Sequence, residues 1–246
     1  MEDWFTTWFN SPYYHILYKD RDYSEAELFI DALVKHVSVP SGSKVLDLAC
    51  GKGRHSVQLN KHGFDVIGID LAEESIAEAQ LNERERLEFY VHDMRSLYWS
   101  DYFDLVVNLF TSFGYFHNAD DDQRTITSVA DSLKPNGLFV IDFMNAVKVI
   151  NNLVSYEEKT IEGVQFVINR KIENGVIEKH IQITDKEIKL EFTEEVDALK
   201  LEDFKMYIER AGLELLEVFG NYKLGAFDET SSDRLILIAK KPQKWS

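Results

Sequence analysis

One cysteine, Cys50, is all that the 246 residues offer. That excludes an intramolecular disulfide and argues against a cysteine-built metal site. Basic residues are scarce as well: 27 Lys and Arg stand against 43 Asp and Glu, a net charge of −16. Affinity for nucleic acid or anionic lipid comes largely from Lys and Arg displacing counterions, and no run of them forms a basic patch here. Neither polyanion is expected as a partner. No apolar run approaches the roughly 18 residues a membrane span needs. The opening "MEDWFTTWFN" lacks the basic region and apolar core of a signal peptide. A cytoplasmic, membrane-free protein is the expectation. The seven histidines do not fall at metal-ligand spacing and no G-x-S-x-G occurs, so neither a metal nor a serine nucleophile is predicted.

What is present is a rhythm. Residues 1–22 are crowded with aromatics, and Ser24 with Glu27 makes a capping box ahead of an apolar stripe. After the linker "VPSGS", apolar strands alternate with helices: "KVLDLA", "FDVIGID", "LEFYVHD", "FDLVVNLF" and "GLFVIDF" are the strands. Near-continuous apolar strands separated by helices predict a parallel sheet covered on both faces. From about residue 155 the pattern alternates polar and apolar, with Asn174-Gly175 and "TDKE" as hairpin turns. A helix returns at "KLEDFKMYIERAG", and "LELLEVFG" and "DRLILIAKK" close the chain as strands. The reading is α/β: a doubly wound, mostly parallel, Rossmann-like seven-stranded sheet with a small antiparallel β insertion. Three units are expected: an aromatic-rich helical lid over 1–38, a main domain over 39–154 and 198–246, and the insertion over 155–197.

In "VLDLACGKGRHS" a strand runs through a glycine turn into a helix. Such a turn offers free backbone N–H groups and a positive dipole end, with Gly51 and Gly53 admitting a ligand close to the backbone. Asp70 ends the second strand, where an acid can accept both hydroxyls of a ribose or cap the next helix. Asp93 ends the third, where it can accept an adenine amine or close an Asx turn. Asp47 lies inside the first strand. A carboxylate there is costly unless paired, so it is expected to reach the crevice and face a cationic ligand bearing an amine and a sulfonium.

Together "VLDLACGKGRHS", "VIGIDLAEESIAEA", "HDMRSL", "FDLVVNLFTSFGYF" and "LKPNGLFVIDF" resemble the class I methyltransferases that depend on S-adenosylmethionine. The likeness is strong over roughly 40–145 and looser over 200–240. The family's acid-x-G-x-G-x-G motif departs here at its first glycine, where Ala49 stands. The resemblance implies S-adenosylmethionine as the cofactor. Asp47, Ala49 and Gly51, with Gly53 completing the glycine motif, would hold the methionine end, Asp70 the ribose, Leu71 the adenine face, and Asp93 with Met94 the adenine edge. Asn108 and Leu109 would line the methyl donor. It also implies the antiparallel ending of the sheet.

Methyl transfer is an in-line displacement at carbon, in which positioning and water exclusion supply much of the rate. Aromatic faces suit a sulfonium or a cationic acceptor, and Phe110, Phe113, Tyr115 and Phe116 stand where such a wall belongs, unless they are ordinary core. Tyr14, Tyr18 and Arg21 are the lid residues expected over the cofactor. Tyr115 and His117 are the candidates for a catalytic role, His55 in the first helix turn is expected to be exposed, with contact to the ligand as the alternative, and His92 is expected to face outward. The expected activity is methyl transfer to a nitrogen or oxygen of a small molecule. A nicotinamide-dependent oxidoreductase and a non-catalytic S-adenosylmethionine-binding protein are the alternatives, and a homodimer is left open.

Overall fold

The computed structural model describes residues 4–19 and 23–243, with the side chains of 4–6 and 23–26 left aside. Arg21 therefore lies outside the described residues, as does the capping side chain of Ser24. Two short helices, α1 (Trp4–Phe9) and α2 (Pro12–Leu17), precede α3 (Tyr23–Val37). The break between the first two is chemical: Ser11 caps α2, accepting from the Tyr13 N–H, and Pro12 opens the helix.

The alternating region follows as β1 (Lys44–Leu48), α4 (Arg54–Lys61), β2 (Asp65–Asp70), α5 (Glu73–Gln80), β3 (Leu87–Val91), β4 (Phe103–Asn108), α6 (Ala119–Ser132) and β5 (Leu133–Met144). After α7 (Ala146–Asn151) come four antiparallel strands: β6 (Tyr156–Ile161), β7 (Val164–Glu173), β8 (Val176–Asp185) and β9 (Ile188–Asp197). Helix α8 (Leu201–Arg210) leads to β10 (Glu214–Phe219) and β11 (Arg234–Lys240). The seven-stranded sheet has the order β10-β11-β5-β4-β1-β2-β3, and β11 alone runs against its neighbours. The strand and helix pattern predicted the parallel part of this sheet, and the family resemblance its antiparallel ending. The pattern missed α7 and β6, and it started β5 at residue 137 where pairing begins at Leu133, past an irregularity between Phe103 and Leu105.

Alternate strand residues feed two cores. Leu46, Val106, Phe139, Ile141 and Leu237 pack under α6 and α8, which contribute Ile126, Val129, Phe204 and Ile208. Val45, Val66, Val107, Val140 and Ile236 face the other way, toward Phe29, Leu33, Leu59 and Ile76. A third core is separate: Trp8, Tyr13 and Leu17 of α1 and α2 rest on Val164, Phe166, Ile168, Ile181 and Ile183 of the four-stranded sheet. Its hairpins β6–β7 and β7–β8 turn through Glu162-Gly163 and Asn174-Gly175, all four at positive φ. That is the geometry whose twist matches paired strands.

Candidate functional site

Strand order reverses between β1 and β4, and in an open α/β sheet the ligand crevice opens beyond the carboxyl ends at that point. A cavity of about 470 Å³ lies there. Its floor is the turn after β1, with Ala49, Cys50, Gly51 and Lys52. Asp70, Leu71 and Ala72 come from the end of β2, and His92, Asp93 and Met94 from beyond β3. Leu109, Phe110, Thr111, Ser112, Tyr115 and Phe116 follow β4, while Phe9, Tyr14, His15, Tyr18 and Lys19 close the opposite side.

The glycine turn is bent for a purpose that only small residues serve. Gly53 holds φ +78 at the N-cap of α4, and a Cβ there would fall 2.5 Å from the Phe89 ring. Gly53, at the N-cap, has no side chain with which to cap α4. At Gly51, φ +54, a Cβ would meet only open space. Asp70 organises the turn: the N–H groups of Gly51 and Ala72 each donate to its carboxylate at 2.8 Å. Burial raises the Asp70 pKa, and these backbone bonds oppose the rise. Asp93 closes the Asx turn weighed from its sequence position, and it also faces the cavity. Arg95 N–H closes an Asx turn onto it at 2.9 Å, and the Arg95 guanidinium grips it at 2.6 Å while Asp93 lines the cavity. Burial pushes this carboxyl up, but the Arg95 bonds outweigh it and hold it below the ordinary range.

Several predicted residues are elsewhere. Asp47 does not reach the cavity. It is 1% exposed and accepts a 2.5 Å hydrogen bond from the Ser56 hydroxyl. The reason is strand alternation: flanked by Leu46 and Leu48 on one face, Asp47 points to the α4 face. Ser56, where a dinucleotide loop would carry its third glycine, is its partner. Burial pushes the Asp47 carboxyl up to about 7, the Ser56 bond opposes this, and the Asp70 charge adds to it. Asn108 is also buried, its amide donating at 3.0 Å to the Leu48 carbonyl across the switch point. Gly53 lies behind the lining, and Phe113 is core.

The histidines are the clearest corrections. His117 sits outside the cavity between two carboxylates of β9, 2.8 Å from Asp197 and 3.2 Å from Glu195. His55, expected exposed, is buried in the cavity lining with its ring 4.7 Å from that of Phe110. Burial, aided by the Arg54 charge, pushes its imidazole down to about 3, so it is neutral at pH 7. His92 lines the cavity too. Tyr115 does line it, with its hydroxyl donating at 2.5 Å to the Thr111 carbonyl.

Tyr14 and Tyr18 line the cavity with their rings 4.9 Å apart, and the support beneath them is unexpected. Tyr18 donates to Glu194 at 2.6 Å and the Trp8 indole donates to the same carboxylate at 2.6 Å. Lys179 pairs with Glu194 at 3.2 Å and stands over the Tyr18 ring. The four-stranded sheet thus carries the helices that line the cavity. Sequence reading also missed Lys52, paired with Glu78 at 2.5 Å, because only the fold brings the turn after β1 to α5. No grouping of His, Cys, Asp and Glu able to hold a metal occurs among the described residues. No helix among them is long and apolar enough to cross a membrane.

Residues 45–137 match the methyltransferase domain family. Among curated relatives, "Putative methyltransferase YqeM" of Bacillus subtilis is 37% identical over 46% of this chain and 47% of its own. A dTDP-3-amino-3,4,6-trideoxy-alpha-D-glucopyranose N,N-dimethyltransferase of Streptomyces venezuelae is 31% identical over 50% and 52%. The chain spans about half the length of these two. A glycine/sarcosine N-methyltransferase of Halorhodospira halochloris is 25% identical over 89% and 81%. An S-adenosylmethionine-dependent methyltransferase of Clostridium acetobutylicum shares the fold at TM-score 0.80, with 23% identity over 94% of this chain and 96% of its own. The S-adenosylmethionine-bound amino pentose methyltransferase CalS10 of Micromonospora echinaspora superposes at TM-score 0.70, with 20% identity over 94% and 97%.

Proposed function

We propose that the chain is a class I S-adenosylmethionine-dependent methyltransferase, as its domain match and its relatives support, and that it transfers the methyl group to a nitrogen or oxygen of a small molecule, working by positioning and exclusion of water. The observation that carries this reading is the cavity at the switch point, with Asp70 and Asp93 at neighbouring strand ends on one side and aromatic rings on the other. S-adenosylmethionine supplies an activated methyl group on a positively charged sulfur.

The residues present fit that cofactor. Asp70 spends its carboxylate on two N–H groups and keeps lone pairs for ribose hydroxyls. Gly51 leaves open space beside the backbone for the methionine end. Leu71 and Met94 offer apolar surface to adenine, and Asp93 an acceptor at its edge. Phe9, Tyr14, Tyr18, Tyr115 and Phe116 exclude water and present ring faces and edges to a cation. His55, neutral and buried, is a hydrogen-bonding group and not a charge. A small acceptor fits an acidic chain and a cavity of this size, and the N-methyltransferases among the relatives favour nitrogen.

Thermal unfolding with S-adenosylmethionine, S-adenosylhomocysteine and the nicotinamide dinucleotides tests the cofactor. A ligand at 100 times its dissociation constant adds about 2.7 kcal/mol, which is roughly 5–10 °C at this size. Only the adenosyl-sulfur ligands are expected to raise the midpoint. Release of S-adenosylhomocysteine is then followed with amino sugars, glycine, sarcosine and hydroxylated analogues. Binding of the cofactor with no turnover on any of these would point to a non-catalytic binder.

A further inference from the structure

The wall after β4 is built in a conformation that side chains resist. Phe110 and Thr111 are consecutive non-glycine residues at φ +59 and +64, and both line the cavity. The left-handed region costs an L-residue roughly 1–2 kcal/mol, and such pairs persist only where surrounding structure over-determines them. Here one buried residue, by its side chain and its backbone carbonyl, anchors both. Asp142 of β5 is 0% exposed. Its Oδ2 accepts the Phe110 N–H at 2.8 Å and the Tyr222 hydroxyl at 3.2 Å. Its Oδ1 accepts from Arg234 Nε at 2.8 Å, and its backbone carbonyl accepts the Thr111 N–H at 3.0 Å. The other arm of the Arg234 fork donates to Thr111 Oγ1 at 2.9 Å. Tyr222 stacks on Phe110 at 5.0 Å. Every member of this cluster therefore holds either the backbone or the side chain of one of the two strained residues, and Asp142 touches all of them.

Resting on the methyltransferase reading above, we infer that Asp142, with Arg234, is a positioning residue for the cofactor cavity: it fixes the left-handed Phe110-Thr111 pair and so sets where the wall from Leu109 to Ser112 meets the ligand. Asp142 does not line the cavity and takes no part in bond making. It acts through the backbone it holds, which sits at the end of the strand across the switch point from the glycine turn.

A rescue cycle separates this role from general stability. In Asp142→Asn the Oδ2 acceptor shared by Phe110 N–H and Tyr222 becomes an amide donor, or the Arg234 contact is lost instead. Thr111→Gly lets the backbone adopt φ +64 without strain. S-adenosylmethionine affinity is measured by calorimetry on the full chain, alongside the melting midpoint. The expected result is a loss of at least fivefold in Asp142→Asn, with the double variant within twofold of Thr111→Gly alone. If Asp142→Asn fails to fold, Arg234→Lys is the second variant: a point charge cannot grip Asp142 and Thr111 Oγ1 together, and the same rescue is expected. Unchanged affinity in a folded variant overturns the inference. So do losses that simply add when Thr111→Gly is combined with them, since that is what a merely structural role gives. A wild-type chain that binds no S-adenosylmethionine overturns the proposed function and this inference with it. A wild type that binds, beside variants that behave alike, overturns this inference only.

Discussion

Asp47→Asn is expected to stabilise this protein, and more so as the pH rises. Asp47 is held in the α4 face of the sheet with Ser56 as its hydrogen-bond donor, and burial pushes its carboxyl up to about 7. In the unfolded chain the same group ionises in the ordinary carboxylate range. Between those limits the folded state holds a proton that the unfolded state has lost. The stability this group contributes is therefore complete below the ordinary carboxylate range and is lost as the pH climbs through 7, after which the curve is flat. Each pKa unit is worth about 1.4 kcal/mol, and the slope falls off as the folded carboxyl begins to ionise near 7, so from pH 5 to 7 wild type loses about 2 kcal/mol from this residue alone. Asparagine keeps an oxygen for Ser56 and cannot ionise. Its advantage over wild type should thus grow by that amount between pH 5 and 7, roughly 4–8 °C in midpoint. Asp122, also pushed up to about 7 chiefly by burial, adds a fall of the same sign to both proteins and cancels in the difference. Urea and thermal unfolding of both chains from pH 5 to 8.5 measure it. A difference that is flat with pH, or that shrinks as pH rises, would refute the argument that burial dominates at Asp47.

Other substitutions read the turn itself. Ala49 holds φ +56; relieving the left-handed cost of roughly 1–2 kcal/mol, less glycine's extra disorder when unfolded, roughly 0.5–1 kcal/mol, makes Ala49→Gly a net gain of about 0.5–1 kcal/mol by urea denaturation. Gly53→Ala drives a Cβ to 2.5 Å from the Phe89 ring at φ +78, an overpacking of ~1–3 kcal/mol, and a variant as stable as wild type would contradict it. Asp70→Ala should weaken S-adenosylmethionine binding at least tenfold by calorimetry, about 1.4 kcal/mol; unchanged affinity would remove Asp70 from the site.

The sheet and the ends of its strands were legible because two periodicities are written plainly in the sequence. Unbroken apolar strands mark burial on both faces, and the strand-turn-helix at "LDLACGKGRHS" fixes which end opens to a ligand. Asp70 and Asp93 could be placed on the cavity from that alone, while Leu71 and Met94 followed from the family resemblance. Asp47 could not, because its strand is buried on both faces and apolar neighbours give no sign of which way an isolated acid points. His55 misleads for a related reason: polarity predicts exposure unless a ring such as Phe110 arrives from another strand to cover it. The role of Glu194 is invisible to any local pattern, since Trp8 and Tyr18 lie 186 and 176 residues away from it.

That separation has a consequence for how the molecule comes into being. Helices of six residues, as α1 and α2 are, have almost no stability of their own in water. They leave the ribosome before β7, β8 and β9 and have nothing to rest on until those strands have been made and paired. Through most of synthesis the crevice between β1 and β4 is open on its aromatic side, and closing it means bringing together segments nearly the whole chain apart. Entropy makes such closures late events. The protein therefore gains its grip on a ligand near the end of folding, and a chain cut short before Glu194 would keep the glycine turn while lacking the wall that faces it.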